Sequence, residues 1–246
     1  MGTVLAAILA IAVKFKGLLL GLKFAIPAWS FLLSLGAYAL FFGWPLAIVI
    51  LLSLAAHELG HYYAYRTYGL PARLPVFLPF LGAFTAGAIA PELEQDAYIA
   101  LAGPAVGFVL AGACYAVGLA TSERFWLACA DISAFLNLFN MIPMLPFDGG
   151  RVIGAIWPPL WIAGIVAFLA VAYWIGVPLF LVAIIALLGA PAMWAAFRGR
   201  VDPRAAAMTN SARMRVGLWY LAVLIGLTLV LGQAHQGLGN LASSPL

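Results

Sequence analysis

The chain has 246 residues, of which 66% are hydrophobic and 8% charged, with a formal net charge of +4. A water-soluble domain carries about 25% charged residues, so this surface cannot be covered by water-seeking groups and its main solvent is lipid. The basic residues are scattered at the ends of apolar runs, which excludes a nucleic-acid-binding stripe, and Cys114 and Cys129 lie inside apolar runs, forming neither a disulfide framework nor a CxxC metal knuckle.

In chain order, residues 1–23 read as a membrane-surface segment. Val4–Val13 is apolar, but Lys14, Lys16 and Lys23 follow it rather than precede it, unlike a signal peptide; a true span is the alternative. Apolar runs of about 20 residues then predict spans near Phe24–Phe42, Pro45–Tyr65, Ala97–Ala120, Phe125–Ile142, Pro158–Ile175, Pro178–Phe197 and Val216–Gly232. The expected fold is an all-α polytopic membrane protein of about seven transmembrane helices. Its divisions are a catalytic membrane core at 24–155, additional helices at 156–232 with a basic loop at 198–215, and a tail at 233–246.

One connection, Arg66–Asp96, is long. Within it, Leu74–Gly87 combines the breakers Pro75, Pro79, Gly82 and Gly87 with the β-prone Val76, Phe77, Phe80 and Phe84. This predicts a short intramembrane β-like loop able to offer a strand edge to an extended peptide, with Gly82, Ala83 and Phe84 as its substrate-contacting residues. An ordinary surface connection is the alternative.

Placing the N-terminus in the cytoplasm puts eleven basic residues inside (Lys14, Lys16, Lys23, Arg66, Arg73, Arg151, Arg198, Arg200, Arg204, Arg213 and Arg215) and leaves Arg124 alone outside. Tyr62, Tyr63, Tyr65 and Tyr68 are expected in an aromatic belt at the inner interface, and the basic loop against anionic lipid headgroups. The compact build suggests a bacterial cytoplasmic membrane.

Ionisable groups inside a membrane cost about 2.5–3.5 kcal/mol each on insertion scales, so the run HELGH at 57–61 needs a reason. His57 and His61, four apart on a helix, share one face with Cβ atoms about 5–6 Å apart and can hold one zinc ion. Glu58, one step round, can work on a nearby water. A catalytic zinc keeps three protein ligands and one open position. Asp148 is the favoured third ligand. His57 lies 12 residues in from Pro45, about 18 Å along a helix, and Asp148 follows the inner end of a span running the same way. Pro143 and Pro146 break the helix before it, and Gly149 and Gly150 allow a tight turn beside the metal. Other acids and His235 are less suited: His235 falls in the tail on the opposite side, Asp131 near the outer end of its span, and Glu92, Glu94 and Asp96 in the long connection.

HELGH at 57–61 together with NMIPMLPFDGG at 140–150 resembles the site-2 protease family of intramembrane zinc metalloproteases. Ala102-Gly103-Pro104 is similar to the family's small-residue segment, and Phe77–Phe84 to the intramembrane loop before it, so the likeness covers about residues 40–155, a three-helix metalloprotease core. Phe147 stands where leucine is usual. The resemblance implies one Zn2+ held by His57, His61 and Asp148, Glu58 as general base and acid, and Asn140 on substrate or oxyanion. Asn137, three residues earlier on the same face, is a further substrate candidate, with a helix–helix hydrogen bond as its alternative. The implied substrate is a membrane protein with a transmembrane segment; oligomerisation is left open. A zinc-binding membrane transporter and an inactive protease-like scaffold are the competing readings. The absence of repeats and of a chain of ionisable groups disfavours the first, and the intact Glu58 the second.

Overall fold

The computed structural model describes the backbone of residues 2–200 and 202–243, and the side chains of residues 21, 23–200 and 202–240. The elements run α1 (Gly2–Phe42), α2 (Trp44–Thr67), β1 (Val76–Leu78), β2 (Gly82–Phe84), α3 (Leu93–Thr121), α4 (Arg124–Asn140), α5 (Asp148–Ile156), α6 (Trp161–Ile175), α7 (Leu179–Phe197) and α8 (Asn210–Ser243). Among the described residues, six helices are long and apolar enough to cross a membrane: Lys23–Phe42 of α1, α2, α3, the Pro158–Ile175 stretch, α7 and Asn210–Asn240 of α8. The chain is an all-α, multi-pass membrane protein. The predicted surface segment 1–23 continues into the first span as one helix, and most of its side chains lie outside the described residues.

The fourth predicted span is α4, with 17 residues. At about 1.5 Å per residue it covers about 26 Å, short of a hydrocarbon core of about 30 Å. Pro143 stops it, because a residue before proline is driven out of the helical region. Residues 141–147 continue without helix, yet Met141, Ile142, Met144 and Phe147 are all buried. Irregular backbone is tolerated at such depth only inside protein, and α5, α6, α7 and α8 supply that cover. Gly164 of α6 lies flush against Pro143, Gly189 of α7 against Leu145, and Gly149 and Gly150 of α5 against Met141 and Met144. The glycine pair expected to make a tight turn is instead helical; the absent side chains let α5 lie on the preceding backbone. Tyr220 of α8 donates its hydroxyl to Met141 O at 2.6 Å.

α2, α3 and α4 pack together, and α8 lies along α3 and α4. The face α8 uses, Val216, Tyr220, Val223, Leu227 and Ala234, is buried, in a helix apolar on every side. α8 continues through His235 to Ser243, the stretch expected as a tail, and it already carries Arg213 and Arg215. α6 and α7 turn large residues outward, including Tyr173, Trp174 and Leu179, as lipid-facing helices do.

The predicted β-like loop is a hairpin with the antiparallel register Val76–Phe84, Phe77–Ala83 and Leu78–Gly82. Phe80 (φ 63°) and Gly82 (φ 94°) make its turn. A bulky residue with positive φ needs outside support, and the Phe80 ring rests edge-on against Tyr38 at 5.3 Å and Phe41 at 5.0 Å. β1 hangs on α1, with Phe77 N donating to Ser30 Oγ at 3.1 Å and its ring meeting Phe31 at 5.2 Å. Of the four tyrosines assigned to the interface, Tyr63 and Tyr68 are exposed and Tyr65 is buried with Ala90 and Ile99. Gly87 sits against the Tyr65 ring, so the long connection folds back over it and removes it from the lipid surface.

At the α2–α3 crossing a side-chain carbon on Gly60 would meet Ala102 O, whereas one on Gly112 of α3 would meet nothing within 4 Å. Gly60→Val is therefore expected to destabilise the protein by about 1–3 kcal/mol and Gly112→Val to have little effect. Thermal melting of the two variants in one detergent checks this; equal melting temperatures would show that the crossing is not as tight as described.

Candidate metal centre

The HELGH run falls in the middle of α2, so helix geometry alone puts His57 and His61 on one face. Both rings are buried, and their partners fix which nitrogen carries the proton. His61 Nδ1 donates to Ile99 O at 2.7 Å and His57 Nδ1 donates to Asn137 Oδ1 at 2.8 Å. The Asn137 amide is oriented by Nδ2 donating to Ser133 O at 2.8 Å. Carbonyl oxygens only accept, so each neutral imidazole presents an unprotonated Nε2 inward.

Those two nitrogens are 3.0 Å apart. Asp148 Oδ2 lies 3.1 Å from His57 Nε2 and 3.2 Å from His61 Nε2. Three lone-pair donors at such distances repel one another unless a cation or proton lies among them. With zinc–ligand lengths of about 2.0–2.1 Å, the edge of a tetrahedron is about 3.3 Å, close to the observed spacing. His57, His61 and Asp148 therefore fit a zinc ion in donor type, spacing and tautomer, and all three are buried. Gly103 closes one side: a side-chain carbon there would run into the Nε2 atoms of both histidines. The small-residue segment noted in the sequence is thus a backbone wall of the site.

Each ligand reaches the centre by a different device. Asp148 opens α5, where the positive helix end favours a carboxylate. Pro104, inside α3, removes the N–H that would bond Ala100 O. The neighbouring carbonyl of Ile99 receives His61. Gly107 leaves the space that the Asn137 amide fills. Glu58 is buried beside His57, and its Oε2 has no hydrogen-bond partner. Thr85, next to β2, donates to Glu58 O at 3.1 Å, which fastens the hairpin to the helix carrying the site.

The remaining predicted residues are placed as follows. Asn140 is half-buried, with Nδ2 donating to Leu136 O at 3.1 Å. Gly82, Ala83 and Phe84 form β2. Asn137, a candidate for substrate or for a helix–helix hydrogen bond, has both amide atoms occupied, one of them by His57 of α2. Glu94 pairs with Arg215 at 2.8 Å, Asp96 with Arg151 at 2.8 Å, and Asp131 faces His235 at 3.3 Å; none joins the metal cluster. Sequence reasoning missed Ile99, Thr85 and Arg151. Ile99 and Thr85 act through a carbonyl and a lone hydroxyl, which leave no motif. Arg151, adjoining the second motif, was visible but was counted only for topology. The Asp96 and Asp148 carboxylates outweigh the effect of burial and hold its guanidinium above its ordinary pKa.

Three kinds of comparison place this chain beside known proteins. The model of peptidase family M50 matches residues 45–123. The likeness to peptidase family M50 covers the segment that carries HELGH and the small-residue stretch at 102–104. A zinc metalloprotease of Methanocaldococcus jannaschii is 32% identical over 120 residues, covering 45% of this chain and 34% of that protein. Rip3 of Mycobacterium tuberculosis, classed by name with the zinc metalloproteases, is 31% identical over 136 residues, covering 50% of this chain and 34% of that protein. The match thus spans about a third of each relative's length. The solved site-2 protease of Methanocaldococcus jannaschii aligns over 82% of this chain and 86% of that one, with 21% identity and a TM-score of 0.42. Asp148 lies beyond the segment that the family model matches, so its place beside the two histidines rests on the distances above.

Partners of zinc-ligating histidines typically contribute 10–100-fold in metal affinity. Asn137→Ala is expected to weaken zinc binding by about that factor without abolishing it, since both histidines and Asp148 remain. Competition with a coloured chelator measures the change; wild-type affinity would show that the Asn137 contact does not orient His57.

Proposed function

We propose that this chain is a zinc-dependent endopeptidase of the site-2 type that hydrolyses peptide bonds of membrane-spanning substrates. The observation that carries the reading is one buried carboxylate oxygen, Glu58 Oε2, left without a partner beside three metal-type donors. An unpaired buried acceptor costs about 1–3 kcal/mol or more, and a site that hands protons to and from a reactant needs such a group.

His57, His61 and Asp148 would hold a zinc ion, which would supply Lewis acidity toward water and the scissile carbonyl. Glu58 Oε2 accepts a proton from the attacking water as its oxygen adds to the carbonyl carbon. Oε2 then returns the proton to the amide nitrogen as the carbon–nitrogen bond breaks, giving a free amine and a carboxylic acid. Asn137 keeps His57 in the tautomer this requires. Asn140 uses its Nδ2 within α4 and keeps Oδ1 for a substrate N–H.

The hairpin supplies the place for an extended substrate. Phe77 N–H is taken by Ser30 Oγ, so Phe77–Ala83 is the non-hydrogen-bonded pair of the ladder. By the alternation of antiparallel sheets, the N–H and C=O of Ala83 then point off the outer edge of β2. A substrate strand added there would be unwound, as cleavage of a helical segment demands, with Gly82 and Phe84 on either side of the pairing residue. The eleven-to-one split of basic residues supports a cytoplasmic N-terminus.

Glu58→Gln keeps the size of the side chain and removes the proton acceptor. It is expected to retain wild-type zinc content and to lower cleavage of a co-expressed single-span substrate by at least about 100-fold. Cleavage at the wild-type rate would overturn the role given to Glu58. Loss of zinc together with cleavage would instead make Glu58 part of the metal-holding structure.

A further inference from the structure

The two oxygens of Asp148 face different partners. Oδ2 converges with the histidine nitrogens at 3.1 and 3.2 Å. Oδ1 lies 3.6 Å from Arg151 Nη1, one helical turn further along α5. The other nitrogen of the same guanidinium, Nη2, donates to Asp96 Oδ1 at 2.8 Å. Asp96 belongs to the first turn of α3, whose next turn carries the Ile99 carbonyl that holds His61. On its far side Asp96 Oδ2 faces Arg204 Nη2 at 3.9 Å. Arg204 is anchored by Nη1 donating to Ala90 O at 2.7 Å and by its pair with Asp202 at 2.7 Å. The side chains of Arg151 and Asp96 are 26% and 21% exposed, shielded enough for the pairs to be screened less than surface pairs.

We propose that Arg151, braced by Asp96, is a positioning residue that holds Asp148 to single-oxygen ligation and so keeps a coordination position free for water and substrate. The proposal rests on the metal site assigned above. A carboxylate beside a divalent ion can turn to give both oxygens, raising the coordination number and favouring larger, oxygen-seeking ions. A guanidinium on Oδ1 opposes that turn. Arginine suits the task because its planar fork spans two carboxylates at once, whereas a lysine ammonium on a flexible stem meets them as a point charge.

The test uses the full-length protein in detergent, stripped of metal and titrated with Zn2+ against a chelator and with Co2+ followed by visible absorption. Arg151→Gln is expected to weaken Zn2+ binding by about 10–100-fold. It should also weaken the Co2+ visible bands, as a second carboxylate oxygen enters and four-coordinate geometry is lost. Arg151→Lys, which keeps the charge but not the fork, should give a Co2+ spectrum between those of the wild type and Arg151→Gln. Asp96→Asn, which removes the brace without touching a metal ligand, should shift both readouts in the direction of Arg151→Gln. It carries the test if the arginine variant is not recovered folded. Wild-type Zn2+ affinity and an unchanged Co2+ spectrum in both Arg151→Gln and Asp96→Asn would overturn the proposal. His57→Ala, run alongside, separates this failure from a deeper one. If it binds Zn2+ as the wild type does, the metal site itself is wrongly assigned.

Discussion

The structure is organised around one electrostatic constraint: three unprotonated donor atoms, two imidazole nitrogens and a carboxylate oxygen, are held 3.0–3.2 Å apart inside a membrane protein. Such a cluster is unstable alone, and the surrounding fold is arranged to enforce it. α2 supplies both histidines, α3 a carbonyl for one, α4 an amide for the other, and α5 the carboxylate at its positive end. The glycines fall where this assembly leaves no room for a side chain, between α2 and α3 at Gly60, over the donor atoms at Gly103, and beside Asn137 at Gly107. Close packing of small residues is the usual means of helix association where lipid removes the hydrophobic drive, and in this chain the same packing shapes the site.

Much of this was legible in the sequence, for identifiable reasons. Charge is so costly in lipid that HELGH and Asp148 could hardly be incidental, and fixed helical spacing made His57 and His61 a pair before any coordinates were known. The hairpin was signalled by prolines, glycines and β-prone aromatics within 74–87. What could not be read depends on direction rather than composition. α8 is apolar all round, so nothing in its hydropathy distinguished the face packed on α3 and α4 from the face in lipid. α4 was expected to run through Ile142, but Pro143 ended it early and left buried irregular backbone in its place. Tyr65 looks like its interfacial neighbours, and only the return of the long connection over it shows otherwise.

The basic residues, read in the sequence for topology and lipid contact, also make contacts within the fold. Counting them by side gave an orientation, and the region 198–215 read as a patch for lipid headgroups. In the fold, Arg204, Arg213 and Arg215 reach protein partners: Asp202 and Ala90 O, Ala155 O and Ile156 O, and Glu94. The connection between α7 and α8 and the first turns of α8 are therefore tied to the start of α3 and the end of α5, the two helices that carry the Ile99 carbonyl and Asp148. A segment far from the motifs in sequence thus borders the centre through ionic contacts.

On the proposed reading, the backbone of Ala83 points off the outer edge of β2, and this bears on how the resting protein is hydrated. Amide groups facing hydrocarbon with no partner are too costly to persist, so on that reading a rim lying within the membrane would have to keep solvent there whenever no peptide occupies it. On the proposed reading, a wet crevice beside the zinc site is then a by-product of the docking rim, and the water consumed in hydrolysis is stored at the place it is used. On the same reading, an arriving peptide would displace that water from the rim as it pairs, so that docking and hydration would share one surface.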